Sequence, residues 1–335
     1  MKPQISMLIF ALAIGCLGSQ PSFGFDPSDP PVNLITAAQG LSLSKAQRNG
    51  QWICISGVPN EIVLTAAATP WVDGLRVNTS LIPYVSGNVN PGRSLFKVTL
   101  SRTERHFKGN GLPNHRIGQF PVQKATPAYS WYASAPAEGY SSAADIPVAA
   151  YDLDLRVPRH PAYSSVPYCI NSLVTGVATQ TGTVWHANLA YGTDWVDPIA
   201  ALPMDQCWGH PYNKEYHYHG YSWKCLPNTG SRNAHSPLYG YAMDGFGIFG
   251  PRGDQGRLLT NADLDECHGH VGKIKWDGKM QMMYHYHLNS EYPYGPGCFR
   301  GKPTSANTSK VHRHGFPKAD AQKFPSGEPM GTHPH

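Results

Sequence analysis

Two short stretches of this chain concentrate side chains that bind transition metals. Asp205, Cys207, Gly209 and His210 are followed by Tyr216-His217-Tyr218-His219, and Asp265, Cys267, Gly269 and His270 by Tyr284-His285-Tyr286-His287. Both read D-x-C-x-G-H, a spacer, then Y-H-Y-H, with a spacer of five residues in the first and thirteen in the second. Eight identities at matched spacing point to an internal duplication.

Neutral imidazole is the commonest protein ligand for zinc, copper, iron and nickel, and a set dominated by histidine argues against magnesium or calcium. On an extended strand, Y-H-Y-H turns both histidines to one side and both tyrosines to the other. His210 or His270 adds a third imidazole to each copy. The expected site is a six-histidine centre, His210, His217 and His219 with His270, His285 and His287, in which imidazoles from both halves meet around a common point. Two three-histidine ions would leave open positions for chemistry, whereas four strand histidines around one ion would be closed. Copper or zinc is the expected ion; an ester- or phosphoester-hydrolysing or oxygen-using redox centre would follow from it, and catalysis is left open. The competing reading is a secreted or cell-surface module whose Tyr/His strands are structural, or recognise a glycan or protein without a metal.

Carboxylates flank both copies. Asp205, Asp265 and Glu266 read either as acceptors of an imidazole N–H, or direct ligands, or as turn caps. Glu266 has Gln206 as its counterpart and breaks the symmetry, so it is the residue to serve as a general base if any does. Asp244, among glycines in Met243-Asp244-Gly245-Phe246-Gly247, reads as a turn residue or an imidazole-orienting partner. His268, beside Cys267, and His115 complete the outer set. There is no G-x-S-x-G, H-E-x-x-H or phosphate loop.

Asp205 to His219, Gly240-Tyr-Ala-Met-Asp-Gly-Phe246, Leu264-Asp-Glu-Cys267 and Tyr284 to His287 resemble the YHYH-domain family of secreted proteins. Pro113-Asn114-His115, Gly118 and Phe120-Pro121 extend the likeness, which covers roughly residues 110 to 301. The resemblance implies little about activity, so the chemistry must come from the residues.

Residues 1–24 read as a secretory signal peptide, with Lys2, an apolar run from Ile5 to Leu17 and Ser22-Phe23-Gly24 before Phe25. A membrane association is expected only if Cys16, in a passable lipobox, is lipidated. The other six cysteines suit disulfides in an exported chain. The duplication pairs Cys207 with Cys225 and Cys267 with Cys298, leaving Cys54 with Cys169; the rival reading makes Cys207 and Cys267 thiolate ligands. With 30 prolines, 34 glycines and 18 tyrosines, long helices are not expected. The net charge of +5 comes without a basic run, so no nucleic-acid partner is expected.

The predicted fold is mostly β, sandwich-like or barrel-like, with a duplicated, disulfide-stapled Tyr/His-rich C-terminal half. Residues 25–168 form a β-rich region, with strands at Trp52–Ser56, Ile62–Ala66, Leu95–Leu100 and Val148–Val157. Residues 169–301 hold the copies, about 170–226 and 234–300. The copies extend back to Gly176-Val177-Ala178 and Gly240-Tyr241-Ala242 and are expected to pack about a pseudo-twofold axis. Residues 302–335 read as a His-rich flexible tail.

Overall fold

The computed structural model describes residues 50–304 except 56–57, 64–71, 74–75, 135–144, 171, 189, 192–194, 223 and 227–232. The leader with Cys16, the tail after 304 and the side chain of Cys54 lie outside the described residues. The fold is mostly β. Strands β1 (Gly50–Ile55) and β2 (Val58–Val63) form one hairpin, β3 (Val72–Asp73) and β4 (Arg76–Val77) a second, and β5 (Phe96–Leu100), β6 (Glu104–Gly109) and β7 (Leu153–Pro158) a three-stranded antiparallel sheet. After these come β8 (Val174–Ala178), β9 (Thr183–His186), the short pair β10 (Ala190–Tyr191) and β11 (Trp195–Val196), β12 (Gly209–Tyr212), β13 (Glu215–Tyr218), β14 (Leu238–Ala242), β15 (Gly247–Phe249), β16 (Gly269–Trp276) and β17 (Lys279–His287). Among the described residues two short α-helices, α1 (Pro127–Ser134) and α2 (Pro198–Ala201), interrupt them.

Three of the four expected N-terminal strands overlap strands with shifted ends: β1, β5 and β7. The fourth, Ile62–Ala66, meets the end of β2 at Ile62 and Val63, and its remaining residues lie outside the described ones. Two elements carry no clear sequence signal: β6, whose Arg105 and Phe107 point inward between charged neighbours, and the Tyr- and Trp-bearing α1. No sheet closes into a barrel among the described residues.

The duplication governs the largest sheet, whose strand order is β12-β13-β9-β8-β14-β15-β17-β16. Read from either end, it runs hairpin, parallel partner, central strand. At the middle β8 and β14 pair antiparallel, Gly176 with Ala242, Val177 with Tyr241 and Ala178 with Gly240. These are the two segments whose likeness in sequence is weakest, and in the fold they are equivalent. Val177 pairs with its own counterpart Tyr241, so a pseudo-twofold axis perpendicular to the sheet passes between them. Even the irregularities repeat: the β8–β9 register shifts between Val174 and Gly176, the β14–β15 register between Leu238 and Gly240.

Glycine is required at this axis by close approach. A Cβ on Gly240 would lie 2.0 Å from the Val177 carbonyl oxygen, and one on Gly176 would lie 2.8 Å from that of Tyr241. Both central strands are covered on their two faces, which accounts for the unbroken burial of β8. The three-stranded sheet packs against this centre, with Phe107 5.9 Å from Tyr241. The buried Arg105 guanidinium lies 4.4 Å from the Tyr241 ring and 4.5 Å from Trp276, and pairs with Asp277 at 2.8 Å. This desolvated cation ties β6 to the turn of the β16–β17 hairpin. One buried cluster runs from Trp52 through Val177 to Phe299.

Disulfides Cys207–Cys225 and Cys267–Cys298 staple the two copies at equivalent places, and Cys169 is also disulfide-bonded.

Replacing Gly240 with alanine must push β8 and β14 apart at backbone atoms that cannot yield. The Gly240→Ala protein is expected to lose about 3 kcal/mol of stability, read as a lower urea midpoint at unchanged slope. An unchanged midpoint would contradict the central pairing.

Candidate metal centres

Each D-x-C-x-G-H is a turn built on a buried aspartate. Cys207 N–H and Gly209 N–H donate to Asp205 Oδ1 at 2.8 and 3.2 Å, and Cys267 N–H and Gly269 N–H donate to Asp265 Oδ1 at 3.0 Å each. The intervening residue takes a left-handed backbone, Trp208 at φ 53° and His268 at φ 72°. The first tyrosine of each Y-H-Y-H then donates its hydroxyl to the same carboxylate, Tyr216 to Asp205 and Tyr284 to Asp265 at 2.9 Å. Glycine precedes the histidine because of that tyrosine: a Cβ on Gly209 would lie 2.2 Å from Tyr216 Oη and one on Gly269 2.3 Å from Tyr284 Oη.

This Tyr–Asp bond fixes which face of each strand looks where. Tyr216, Tyr218, Tyr284 and Tyr286 are all buried, and the histidines between them point to the opposite face. In both hairpins the third histidine sits directly across, His210 paired with His217 and His270 with His285. The imidazoles therefore converge. His210 Nε2 and His217 Nε2 each lie 3.0 Å from His219 Nε2; His270 Nε2 lies 3.1 Å from both His285 Nε2 and His287 Nε2. His235, just before β14, adds a fourth, its Nε2 3.1 Å from His285 Nε2.

The two sets do not meet, which corrects the expectation of a common centre. β13 and β17 are separated by four strands, roughly 24 Å at the usual strand spacing, so the six imidazoles form two centres, not one. Each is local to its hairpin, and neither a dinuclear pair nor a four-strand-histidine site is built. The axis perpendicular to the sheet puts both on the same sheet face.

Hydrogen bonds to the other ring nitrogen settle the tautomers. A carbonyl oxygen only accepts, so a ring nitrogen facing one must carry the proton. His217 Nδ1 donates to Glu215 O at 3.2 Å, His285 Nδ1 to Met283 O at 3.0 Å, His287 Nδ1 to Gly250 O at 2.6 Å and His235 Nδ1 to Ser236 O at 2.8 Å. His219 Nδ1 faces Asn188 Oδ1 at 3.0 Å, and the Asn188 amide is oriented by its N–H₂ donating to Pro293 O. All five therefore present bare Nε2 lone pairs inward. Only His210 and His270 have an Nδ1 without a partner among the described residues, and a proton on the Nε2 of either leaves the His217–His219 and His235–His285 contacts as lone pair against lone pair. Burial holds His210, His219, His285 and His287 well below the ordinary imidazole range, with neighbouring imidazoles adding to it, and pushes His270 down to about 4.

An ion bonded to imidazole at about 2.0–2.1 Å in tetrahedral geometry needs donors about 3.3 Å apart. The observed spacings are close to this, and in each group all ligand nitrogens lie within 4.8 Å of one another. A third grouping, His115 with Cys207 and Cys225, offers no thiolate because the two sulfurs are bonded to each other.

The outer residues have other tasks. Asp205 also accepts from Gly118 N–H at 2.9 Å, and Asp265 from Arg300 Nε at 2.9 Å; both serve the turns and tyrosines, and neither orients an imidazole. Asp244 caps its own turn through Phe246 N–H and accepts from Tyr286 Oη at 2.6 Å. His115 holds Tyr218 Oη in the corresponding place in the first copy. His268 reaches His287 O at 2.7 Å and Asn261 Oδ1 at 2.8 Å, supporting the strand from behind. Glu266 is paired with the buried Arg300 at 3.0 Å on the tyrosine side of β17, so the structure places the candidate base away from the imidazoles. Glu215, two residues before His217 and on its face, is the buried carboxyl nearest in the strand, and burial raises it to about 8. Sequence reasoning misses it, together with His235 and His186. A histidine outside the motifs carries no spacing signal, and Glu215 lies in a spacer.

Residues 155–258 match the family model described as YHYH protein. The match takes in the first Y-H-Y-H and the Gly240–Phe246 segment and stops short of the second D-x-C-x-G-H, a narrower extent than the likeness from 110 to 301. No curated protein matches the chain, and no solved structure does. Residues 155–258 are thus similar to a YHYH domain.

Proposed function

We propose that this is an exported metal-binding protein in which each repeat holds one copper or zinc ion through imidazole Nε2 atoms, His210, His217 and His219 in the first and His270, His285 and His287, with His235, in the second. The observation that carries the reading is the convergence of bare lone pairs at His217–His219 and His235–His285. Neutral rings fixed as Nδ1–H tautomers repel there, and a cation between them turns that repulsion into coordination. All-nitrogen donors suit copper or zinc over magnesium or calcium. The disulfides of both repeats support an oxidising compartment. Recognition of a glycan or protein by the Tyr/His strands is less well supported, since the four tyrosines such a surface would use are buried.

Metal analysis of untagged protein after reconstitution is expected to give about two equivalents of copper or zinc, falling by about one in His217→Ala and by about one in His285→Ala. Less than about half an equivalent, unaltered by either change, would overturn the reading.

Protons compete for the same lone pairs. A histidine whose folded pKa lies below its unfolded value contributes stability that is complete above the unfolded value and lost as pH falls toward the folded one. With His270 pushed down from 6.5 to about 4, metal-stripped protein is expected to lose stability steadily from pH 7 to 4.5, by up to ~1.4 kcal/mol per pH unit for each such group, read as a falling Tm. A flat Tm over that range would contradict the buried neutral clusters.

A further inference from the structure

The duplication makes the two centres comparable residue by residue, and they differ in one direction. In the second, His235 brings a fourth Nε2 to within 3.1 Å of His285 Nε2, its ring packed beside Phe249, His285 and His287. Phe249 pairs with His287 in the β15–β17 ladder, and His186 is its equivalent by register. The first centre thus has its extra histidine at a different place, and that ring cannot act in the same way. His186 lies face to face on His217, with centroids 3.7 Å apart and planes 14° from parallel. An ion in the plane of the His217 ring is then displaced from the plane of His186 by nearly the stacking distance, and a ligating imidazole needs the ion in its own ring plane.

A second difference runs the same way. The strand position two before the first histidine, on the histidine face, is Glu215 in the first copy and Met283 in the second. Polar surroundings stand beside three imidazoles, and a thioether beside four.

We propose that the two centres have diverged in kind: the second is a closed four-imidazole site, while the first is a three-imidazole site whose remaining position takes an exogenous monodentate ligand, a small anion or a water-derived oxygen. Three protein ligands with one exchangeable position is the arrangement that lets a metal act on a bound molecule, and four is the arrangement that only holds structure. The proposal rests on the metal reading above, and its test separates the two.

The probe is cobalt(II), whose visible bands report coordination, titrated with azide on the full chain. With two cobalt ions bound, azide is expected to perturb the bands of one. His217→Ala should abolish the azide response while leaving one cobalt bound, and His235→Ala should create a second responding site with both cobalts retained. Failure to bind cobalt at all would remove the metal reading itself. Two cobalt ions with no azide response, equal response of both, or a response that survives His217→Ala and vanishes in His285→Ala would overturn this inference and leave that reading standing.

Discussion

Everything distinctive in this molecule follows from the fact that a backbone carbonyl can accept a hydrogen bond but never give one. Glu215 O, Met283 O, Gly250 O and Ser236 O each take the Nδ1 proton of a nearby histidine, and Asn188, turned by Pro293 O, takes that of His219. With those protons fixed on the outside, the inward Nε2 atoms have only lone pairs to offer. Burial removes the water that would otherwise separate them. The polypeptide thus holds like partial charges together at about 3 Å, a cost that a bound metal ion would convert to bonding.

The positions of those lone pairs are set from the other face of the same strands. A buried carboxylate gathers the turn N–H groups of D-x-C-x-G-H and the hydroxyl of the following tyrosine, and the glycine is there because the tyrosine needs its space. Tyrosine on one side obliges histidine on the other, since a strand alternates. A slip of one residue would exchange the two faces and break both the Tyr–Asp bond and the histidine cluster at once. The disulfide from each turn to the segment beyond its Y-H-Y-H holds the same register covalently.

Much of this is legible in the residues. The D-x-C-x-G-H and Y-H-Y-H spacing locates six of the converging imidazoles, and the duplication alone assigns the disulfides Cys207–Cys225 and Cys267–Cys298. The faint likeness of Gly176-Val177-Ala178 to Gly240-Tyr241-Ala242 marks the strands that meet at the axis. The order of strands in the sheet is not legible. Periodicity says which way a side chain points along its own strand; it does not say that β9, β8, β14 and β15 stand between the two histidine hairpins, so one shared centre looks as natural as two. His235 and His186 escape for a related reason, because each is brought to its cluster by a neighbouring segment outside the motif. Glu266 attracts notice by breaking the symmetry, yet it balances Arg300, whose role depends on a contact across the fold. Glu215 sits in the short spacer where neither motif extends.

The tautomers can be observed directly. Long-range proton–nitrogen correlation spectra of the metal-stripped protein, labelled with nitrogen-15 in histidine, should show His217, His219, His235, His285 and His287 as Nδ1–H tautomers near neutral pH, with their Nε2 resonances moving from the pyridine-like position on addition of zinc. Rings protonated at Nε2, or Nε2 resonances that zinc leaves where they were, would contradict an inward set of metal-binding lone pairs.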